Sequence, residues 1–366
     1  MKYIYQNENW PSFIWDATAL QLLLGEIRNK QGKLMGKMEA MGLALQEQAL
    51  LETLTVDVLK SSEIEGELLN MDQVRSSIAR HLGMDIAGLV PSDRNVDGVV
   101  EMMLDATQNF NSKLSKDRLY GWHNCLFPAG RSGMYKINIG QWRTDDNGSM
   151  QVVSGGFGKE KIHFQAPDAI FLEKEMNQFF DWFSNEKTLD PVLKAGIAHL
   201  WFITLHPFDD GNGRIARAIT DMQLCKADSS SKRFYSMSAQ ILLQRNEYYT
   251  ILEKTQKGNL DITKWLQWFF KNLLAALNAT NSILEQVVSK ANFWEKQNNI
   301  SLNERQKLLL NKILDGFEGK LTTTKWAKIT KCSADTALRD IQDLILKGIL
   351  MKGDKGGRST SYTIIM

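Results

Sequence analysis

Cysteine and proline are both scarce in this sequence of 366 residues, and each shortage excludes something. The three cysteines, Cys125, Cys225 and Cys332, are far apart and form no CxxC pair, so we expect neither a disulfide framework nor a cysteine-based zinc site. Only six prolines interrupt the chain, which leaves long stretches free to be helical.

Long apolar runs and excess charge are missing as well. The chain has no uninterrupted run of about 18 apolar residues, which a membrane-spanning helix would need. The opening stretch MKYIYQNENWPSFIWD lacks the apolar segment of a secretion signal. We therefore expect a cytoplasmic protein with no membrane partner. The formal net charge of +2 excludes no partner, because basic residues can be concentrated in one region.

What the sequence does contain is helical periodicity. In FIWDATALQLLLGEIRNKQGKLMGKMEAM, apolar residues recur every three or four positions, which predicts a mainly α-helical protein. Turn-rich stretches, GMDIAGLVPSDRN and NNISLNERQ, are the expected joints between regions. They divide the chain into an N-terminal helical region (1–94), a central helical region (95–298) and a small C-terminal domain (299–366).

One segment of the central region departs from the helical pattern. MQVVSGGFGKEKIHFQAP, residues 150–167, predicts a strand, a glycine-rich turn and a second strand. Two strands alone are marginally stable in water, so this hairpin must pack on the helices or offer its free edge to a partner.

The stretch LHPFDDGNGRIAR, residues 205–217, joins two predicted helices and concentrates polar groups. Gly211 and Gly213 let the backbone turn its N–H groups toward an anion at the start of the second helix. Arg214 and Arg217 lie on one face of that helix, and their guanidinium groups suit phosphate oxygens. The pattern therefore predicts a phosphate site.

Two further residues of this stretch bear on chemistry. Asp210 offers the kind of oxygen ligand that holds Mg²⁺ together with substrate phosphates, and His206 can take up a proton near neutral pH. Two plainer interpretations stay open at this point: an ordinary glycine-rich turn, or a metal hydrolase, although no HxxxH or HxH pair supports zinc. The other histidines are weaker candidates for a catalytic role. We expect His199 to be a hydrogen-bonded core residue, and no similar cluster of polar residues surrounds His81, His123 and His163 in the sequence.

The sequence HPFDDGNGR followed by IAR resembles the HPFx(D/E)GNGRxxR signature of the Fic family. Members of that family transfer AMP from ATP to a hydroxyl group of a target protein. GMYKINIGQWR and the predicted hairpin are similar to the family's segment that leads into its target-binding flap. RNEYYTILEKTQKGNLDITKWLQWFF is similar to the closing helices of its core. The resemblance spans roughly residues 95–275 and implies a Fic-type helical core with a β-hairpin flap.

The resemblance also implies roles for individual residues. His206 is then the general base, Asp210 holds Mg²⁺, and Arg214 and Arg217 bind the β- and γ-phosphates of ATP. Glycine at position 213, where a relative that acts as a kinase has lysine, favours transfer of AMP. The remaining implied residues are those that cradle the nucleotide, Gly211, Asn212, Gly213, Ile215, Ala216 and Tyr249, and those of the flap, Val152, Val153, Ser154 and Gly155.

A second stretch, SSEIEGE at residues 61–67, has two interpretations. By itself it is an exposed helical face. In Fic proteins, (S/T)xxxE(G/N) is an inhibitory motif, which Ser61, Glu65 and Gly66 match. The resemblance implies that Glu65 pairs with Arg217 and covers the γ-phosphate site, so that the enzyme inhibits itself.

The C-terminal region predicts a winged helix-turn-helix: three helices, then two strands around a basic turn. From residue 303 on it has twelve Lys and Arg against seven Asp and Glu. Weak DNA binding is one hypothesis, with Lys352, Lys355 and Arg358 facing phosphates. The alternative is contact with a partner or with a second copy in a homodimer. Acidic residues on the third helix, Asp335, Asp340 and Asp343, count against DNA.

Alternatives for the activity also stay open. The same site could remove AMP from a target or transfer another nucleotide, with Glu65 orienting a water. A protein of another class, a DNA-binding regulator that senses nucleotide, is conceivable, but it would not need the base His206. The target could be another protein or this chain itself.

Overall fold

The expected helical periodicity becomes fourteen α-helices in the computed structural model. It describes residues 3–84, 86, 88–146, 148–155, 161–314, 317, 319–353 and 360–365, except the side chains of 282 and 283. The helices up to the predicted hairpin are α1 (Ala17–Glu39), α2 (Leu43–Ile64), α3 (Met71–His81), α4 (Arg94–Gln108) and α5 (Lys116–Leu126). Those that follow are α6 (Leu172–Asn185), α7 (Pro191–Leu205), α8 (Asn212–Asp228), α9 (Met237–Leu243), α10 (Arg245–Gln256), α11 (Thr263–Lys296), α12 (Glu304–Leu314), α13 (Thr323–Thr330) and α14 (Ala334–Leu346). None of the helices in this described part is long and apolar enough to cross a membrane.

The chain folds as two compact units, and the short segment 86–88, which belongs to the second unit, lies inside the expected joint GMDIAGLVPSDRN. The first unit comprises residues 1–85 and 89–281, and the second comprises residues 86–88 and 282–366. The region 1–94 therefore does not stand apart from the central helices. The division near residue 281 falls inside α11, whose sequence contains no glycine or proline to signal it.

Helices α7 and α8 form the centre of the first unit. The side chains of α7 are buried on every face from Val192 to Leu205, as its apolar sequence requires. Asp190 caps its first turn by accepting a hydrogen bond from the Val192 N–H at 2.8 Å, and Pro191 suits the first helical position. Helix α8 packs along α7 and also contacts α1, α2, α4 and α5. It begins at Asn212, inside the stretch LHPFDDGNGRIAR.

Two small hairpins lie beside these helices. Strands β1 (Arg131–Ser132) and β2 (Tyr135–Lys136) pair antiparallel, as do β3 (Gln151–Ser154) and β4 (Lys161–Gln165). The second pair is the predicted hairpin, and its turn, residues 156–160, lies outside the described residues. Strand β4 is anchored by the buried Phe164 and packs on α10, whereas β3 is largely exposed.

The second unit contains α12, α13, α14 and a two-stranded antiparallel sheet of β5 (Leu350–Lys352) and β6 (Tyr362–Ile364). Its core is built around Trp326, Ile341 and Leu344, all fully buried. This order of elements is the one expected, and the winged-helix assignment stays a prediction. Lys352 is exposed on β5, while Lys355 and Arg358 lie outside the described residues.

Candidate active site

The loop between α7 and α8 begins with an unusual backbone conformation. His206 has φ 49° and ψ 55°, the left-handed region that few non-glycine residues adopt. Its N–H still bonds to the Phe202 carbonyl at 3.1 Å, while its own carbonyl accepts a hydrogen bond from Arg143 Nε at 2.8 Å. This geometry ends α7 and turns the chain sharply into the loop.

Arg143 is the residue that fixes this turn, and the sequence interpretation gave it no role. Its guanidinium is buried and also bonds Asp145 at 2.7 Å and the carbonyl of Pro167. Its main-chain N–H donates to the Pro207 carbonyl at 2.9 Å. Arg143 thus ties the loop to the segment before the flap. The only sequence signal was its place at the end of GMYKINIGQWR.

The side chain of His206 is prepared to accept a proton. Nδ1 lies 3.3 Å from the carbonyl oxygen of Ile203, which can only accept, so Nδ1 carries the hydrogen and Nε2 is left with a lone pair. Burial lowers the pKa of His206 to about 4, and the positive charge of Arg143 acts in the same direction. The ring is therefore neutral at physiological pH, as a general base must be.

Asn212 closes the loop through its side chain. Its carboxamide accepts from the Phe208 N–H at 3.0 Å and donates to the Phe208 carbonyl at 2.8 Å. The side chain is buried and fully used in this way. Of the expected contact with phosphate, only the main chain of Asn212 can take part.

His123 makes contacts with the loop that the sequence did not indicate. Its ring stacks on Phe208 with 4.3 Å between centroids, and the Gly140 N–H donates to Nδ1 at 3.3 Å. Nε2 therefore carries the hydrogen and donates to the Asp210 carbonyl at 3.2 Å. Burial lowers the pKa of His123 to about 4, so this ring is a neutral support beneath the loop.

Asp210 has a carboxylate suited to a hard cation. One oxygen accepts from its neighbour's Gly211 N–H at 2.6 Å, and the other accepts from the Ser132 hydroxyl. Within the described ranges, no group of three or more Asp, Glu, His or Cys side chains is arranged to hold a metal. A single carboxylate fits an ion that takes its other ligands from substrate phosphates and water, the usual manner of Mg²⁺.

The two glycines of the loop are explained by what surrounds them. Gly211 has φ 82°, and a β-carbon there would lie 2.9 Å from the ring of Phe127. A β-carbon on Gly213 would lie 2.2 Å from Oε1 of Glu65. The space beside Gly213 is therefore filled by a carboxylate, at the first turn of α8 where an anion is favoured.

That carboxylate contacts Arg217, as the resemblance implied. Arg217 Nη2 lies 2.9 Å from Glu65 Oε1, and the guanidinium also donates to the hydroxyl and the carbonyl of Ser61 at 2.9 and 2.8 Å. Burial, the largest single influence, would lower the pKa of Arg217, but the charge and hydrogen bond of Glu65, together with Tyr248 and Tyr249, raise the pKa above its usual value.

The end of α2 brings Glu65 to this position. Gly66 has φ 87°, its N–H bonds the Glu63 carbonyl at 3.0 Å, and the Glu67 N–H bonds the Ser62 carbonyl at 3.1 Å. These two bonds define a Schellman motif, in which glycine takes the left-handed position after the helix. Gly66 is needed for this turn, which places a glutamate on either side of it.

The second of these glutamates was missed by the sequence interpretation. Glu67 Oε2 lies 2.6 Å from Nη1 of Arg214, whose guanidinium also stacks on Phe127 at 5.0 Å from the ring centre. Both arginines that the resemblance assigned to phosphates therefore hold a carboxylate from the end of α2. Each also keeps one buried nitrogen, Arg214 Nε and Arg217 Nη1, without a hydrogen-bond partner among the residues described.

The centre of the chain, which contains this loop, matches a known protein family. Residues 113–224 match the sequence model of the Fic/DOC family. This part of the chain is a Fic domain. Residues 3–84 match a domain of unknown function, DUF4172, so the stretch SSEIEGE lies within that match.

Known proteins resemble the chain in sequence and in fold. The chain is 27% identical to protein adenylyltransferase fic-1 of Caenorhabditis elegans over 213 residues. This alignment covers 57% of this chain and 38% of that protein. The chain thus spans about two fifths of the length of that relative.

Solved structures extend the likeness. A Fic family protein from Desulfovibrio desulfuricans G20 aligns with 95% of this chain and 96% of its own, with TM-score 0.53 and 19% identity. Fic-1 (residues 134–508) from C. elegans aligns with 74% of this chain and 75% of its own, with TM-score 0.50 and 20% identity. At such identities the likeness shows a shared fold, and the predicted helical Fic-type core is confirmed.

Three further residues were expected at the nucleotide site of the Fic domain, and the structure buries them to different degrees. Ile215 and Ala216 are fully buried on α8, so their side chains belong to the core, and the Ile215 N–H bonds the Gly211 carbonyl at 3.0 Å. Their contact with the nucleotide stays a prediction. Tyr249 of α10 is partly exposed, and its hydroxyl lies 3.5 Å from the Ile64 carbonyl, next to Glu65 in sequence.

The flap of the Fic domain is held by a chain of hydrogen bonds that the sequence did not indicate. The Ser154 hydroxyl lies 2.6 Å from His163 Nε2, and Nδ1 of that ring lies 2.6 Å from Glu253 on α10. Of the expected flap residues, Val153 is exposed and Gly155 has φ 108°. His199, in contrast, is a buried core histidine with both ring nitrogens bonded, as expected.

Proposed function

We propose that this protein is an adenylyltransferase that transfers AMP from ATP to the hydroxyl of a Ser, Thr or Tyr side chain of a target protein. The observation that carries the proposal is the pair of occupied arginines. Arg214 and Arg217 hold the carboxylates of Glu67 and Glu65 at the first turns of α8, which is an anion site built for more than one negative charge. The activity of the related adenylyltransferases agrees with it.

In the active form of the enzyme, the nucleotide takes the place of these carboxylates. The uncapped main-chain N–H groups that follow Gly211 cradle the phosphates, and Arg214 and Arg217 bind the β- and γ-phosphates. The buried nitrogens Arg214 Nε and Arg217 Nη1 then gain acceptors that they lack. Tyr249 borders the same space beside the end of α2.

A magnesium ion fits beside this phosphate-binding site. Asp210 would hold it through its carboxylate, which is oriented by Ser132 and by its own loop. When bound, the ion neutralises charge on the phosphates as pyrophosphate departs.

The proton transfer belongs to His206. Its Nε2 accepts the proton of the target hydroxyl while that oxygen forms a bond to the α-phosphorus. The bond between the α-phosphorus and the bridging oxygen breaks, pyrophosphate leaves with the electron pair, and AMP stays on the target. Arg143 and Asn212 keep the loop in place for this step.

Glu65 is proposed to restrain this activity. With its carboxylate on Arg217 and its atoms filling the space beside Gly213, the γ-phosphate has no place to bind in the reactive orientation. ATP bound without that contact presents its α-phosphorus wrongly for attack, and small misplacements are costly in rate.

The decisive experiment is labelling with ATP and Mg²⁺, with the purified protein alone and with cell lysate. α-Labelled ATP should mark a protein band, and γ-labelled ATP should mark none, because AMP is transferred and pyrophosphate leaves. Label from γ-labelled ATP would indicate a kinase instead. No label from either source, even after removal of Glu65, would refute the proposal.

Removal of AMP is the alternative that the position of Glu65 favours, since its carboxylate lies at the first turn of α8 and could orient a water. In that case wild-type protein should strip a pre-labelled target faster than a Glu65→Gly variant does. Faster stripping by the variant would exclude this alternative.

The flap is proposed to bind the target by adding it as an extra strand. Within the described ranges, β3 pairs only with β4, so one of its edges is open. Val153→Pro should lower target labelling about tenfold, because proline removes a main-chain donor, whereas Val153→Ala should change it less than twofold. Labelling rates of the two variants, compared at equal thermal stability, check this. Equal losses in both would point to side-chain recognition instead.

A second proposal concerns the C-terminal region 299–366, for weak DNA binding. Two acidic residues that counted against DNA are already engaged: Asp340 accepts from Arg305 at 2.8 and 3.0 Å, and Asp343 from Gln306 at 2.8 Å. Arg339 and Lys352 are exposed.

We expect the double variant Arg339→Ala/Lys352→Ala to weaken retention of duplex DNA about tenfold and to flatten its salt dependence. The same change at Lys307, an exposed residue paired with Glu304, is the control. Absence of DNA retention at low salt would refute the proposal. Sedimentation of the same samples would then show whether the region mediates a homodimer.

A further inference from the structure

We infer that the end of α2 sets how many phosphates the site admits: Glu67 excludes the β-phosphate and Glu65 excludes the γ-phosphate. This inference rests on the proposed nucleotide site, and it assigns Glu67 a role in specificity. The two glutamates are separated only by Gly66, and each contacts a different arginine of α8.

The two arginines are held to different degrees. Arg217 bonds Ser61 twice in addition to Glu65, so it stays in place when Glu65 is removed. The ion pair with Glu67 is the only one that Arg214 makes among the described residues, at 2.6 Å. Arg214 is 5% exposed, and a guanidinium so buried needs an anion. Without Glu67, the guanidinium of Arg214 keeps its contact with the ring of Phe127 and is free to bind a phosphate group.

The carboxylates also differ in how easily they leave. The two side chains are exposed to a similar degree, 38% for Glu67 and 32% for Glu65, so the difference lies in what surrounds each carboxylate. The Glu65 carboxylate lies within 2.2 Å of where a β-carbon of Gly213 would be, so it fills the space at the helix start. Glu67 therefore yields to a β-phosphate more readily than Glu65 yields to a γ-phosphate.

A distinct pattern of nucleotide affinity follows. AMP has neither outer phosphate, so neither glutamate affects its binding. ADP competes with Glu67 alone, whereas ATP competes with both. A general effect of negative charge would instead weaken all three nucleotides, and most strongly the one with the greatest charge.

The test is titration of the full-length protein with AMP, ADP and ATP by calorimetry, in wild type, Glu67→Gln, Glu65→Gln and the double variant. Glutamine keeps the side-chain size and leaves the Schellman turn intact. Glu63→Gln is the matched control, because Glu63 lies on the same turn of α2 but pairs with Lys60 at 2.7 Å.

Glu67→Gln should tighten ADP and ATP about tenfold and leave AMP unchanged, and Glu65→Gln should tighten ATP alone. Glu63→Gln should change none of them. ADP affinity that stays at the wild-type value in Glu67→Gln, or AMP affinity that rises as much as that of ADP, would overturn the inference. If ATP still gains from Glu65→Gln in that event, the proposed function survives. If no adenine nucleotide binds any variant, both fail.

Discussion

Glu65→Gly should raise the rate of AMP transfer about a hundredfold, because Arg217 becomes free to hold the γ-phosphate and the space beside Gly213 opens. The ATP that already binds is then oriented for in-line attack. The measurement is the initial rate of α-labelled transfer at saturating ATP, for wild type and variant. A variant no faster than wild type would mean that SSEIEGE only ends a helix.

Stability should move in the opposite direction. Breaking a fully buried ion pair on one side costs about 3 to 5 kcal/mol, but the cost here is smaller because the Glu65 side chain is 32% exposed. Nucleotide should restore the loss, since a ligand at a hundred times its Kd adds about 2.7 kcal/mol. Thermal unfolding with and without ATP measures both effects.

Matched variants separate inhibition from catalysis. Ser61→Ala removes one of the hydrogen bonds to Arg217 and should activate only mildly. Arg217→Ala removes both the anchor of Glu65 and the γ-phosphate contact, so it should be inactive alone and in combination with Glu65→Gly. High activity in that combination would contradict the role given to Arg217.

His206→Ala should lower AMP transfer by about three orders of magnitude while ATP affinity stays within twofold, because the base acts on the incoming hydroxyl. Alanine at a left-handed position also adds strain, so His206→Asn is the better matched variant, since asparagine tolerates that conformation. Labelling rates and ATP titrations of both variants check this prediction. Equal losses of ATP binding and AMP transfer would mean that His206 contributes to nucleotide binding instead.

The pH profile gives an independent readout of this base. Because the pKa of His206 is lowered to about 4, the neutral form dominates throughout the neutral range, and protonation removes it only as the pH falls through that value. Transfer should therefore not decline between about pH 8 and pH 5. A rate that falls through pH 6.5 would mean that the ring titrates as a solvated histidine.

Local sequence was sufficient for the elements and for the chemistry of the loop. The helical periodicity and the strand–turn–strand pattern of β3 and β4 each express a short-range preference, so both were predicted from the sequence. Glycines and arginines of one signature likewise lie within a single turn and a loop, and the arginines face one side of α8 because of helical spacing alone.

Contacts between distant parts of the chain were decided only by tertiary packing. Arg214 meets Glu67 across 147 residues, and Arg143 reaches the His206 carbonyl across 63. No periodicity encodes such pairs, because each depends on how helices that are separate in sequence pack together. The pairing of Arg217 with Glu65 was foreseen only through family resemblance, and the bonds from Arg217 to Ser61 were not foreseen. The burial of Ile215 and Ala216, inside the signature, was likewise set by packing, because helical spacing does not say which face of α8 the neighbouring helices cover.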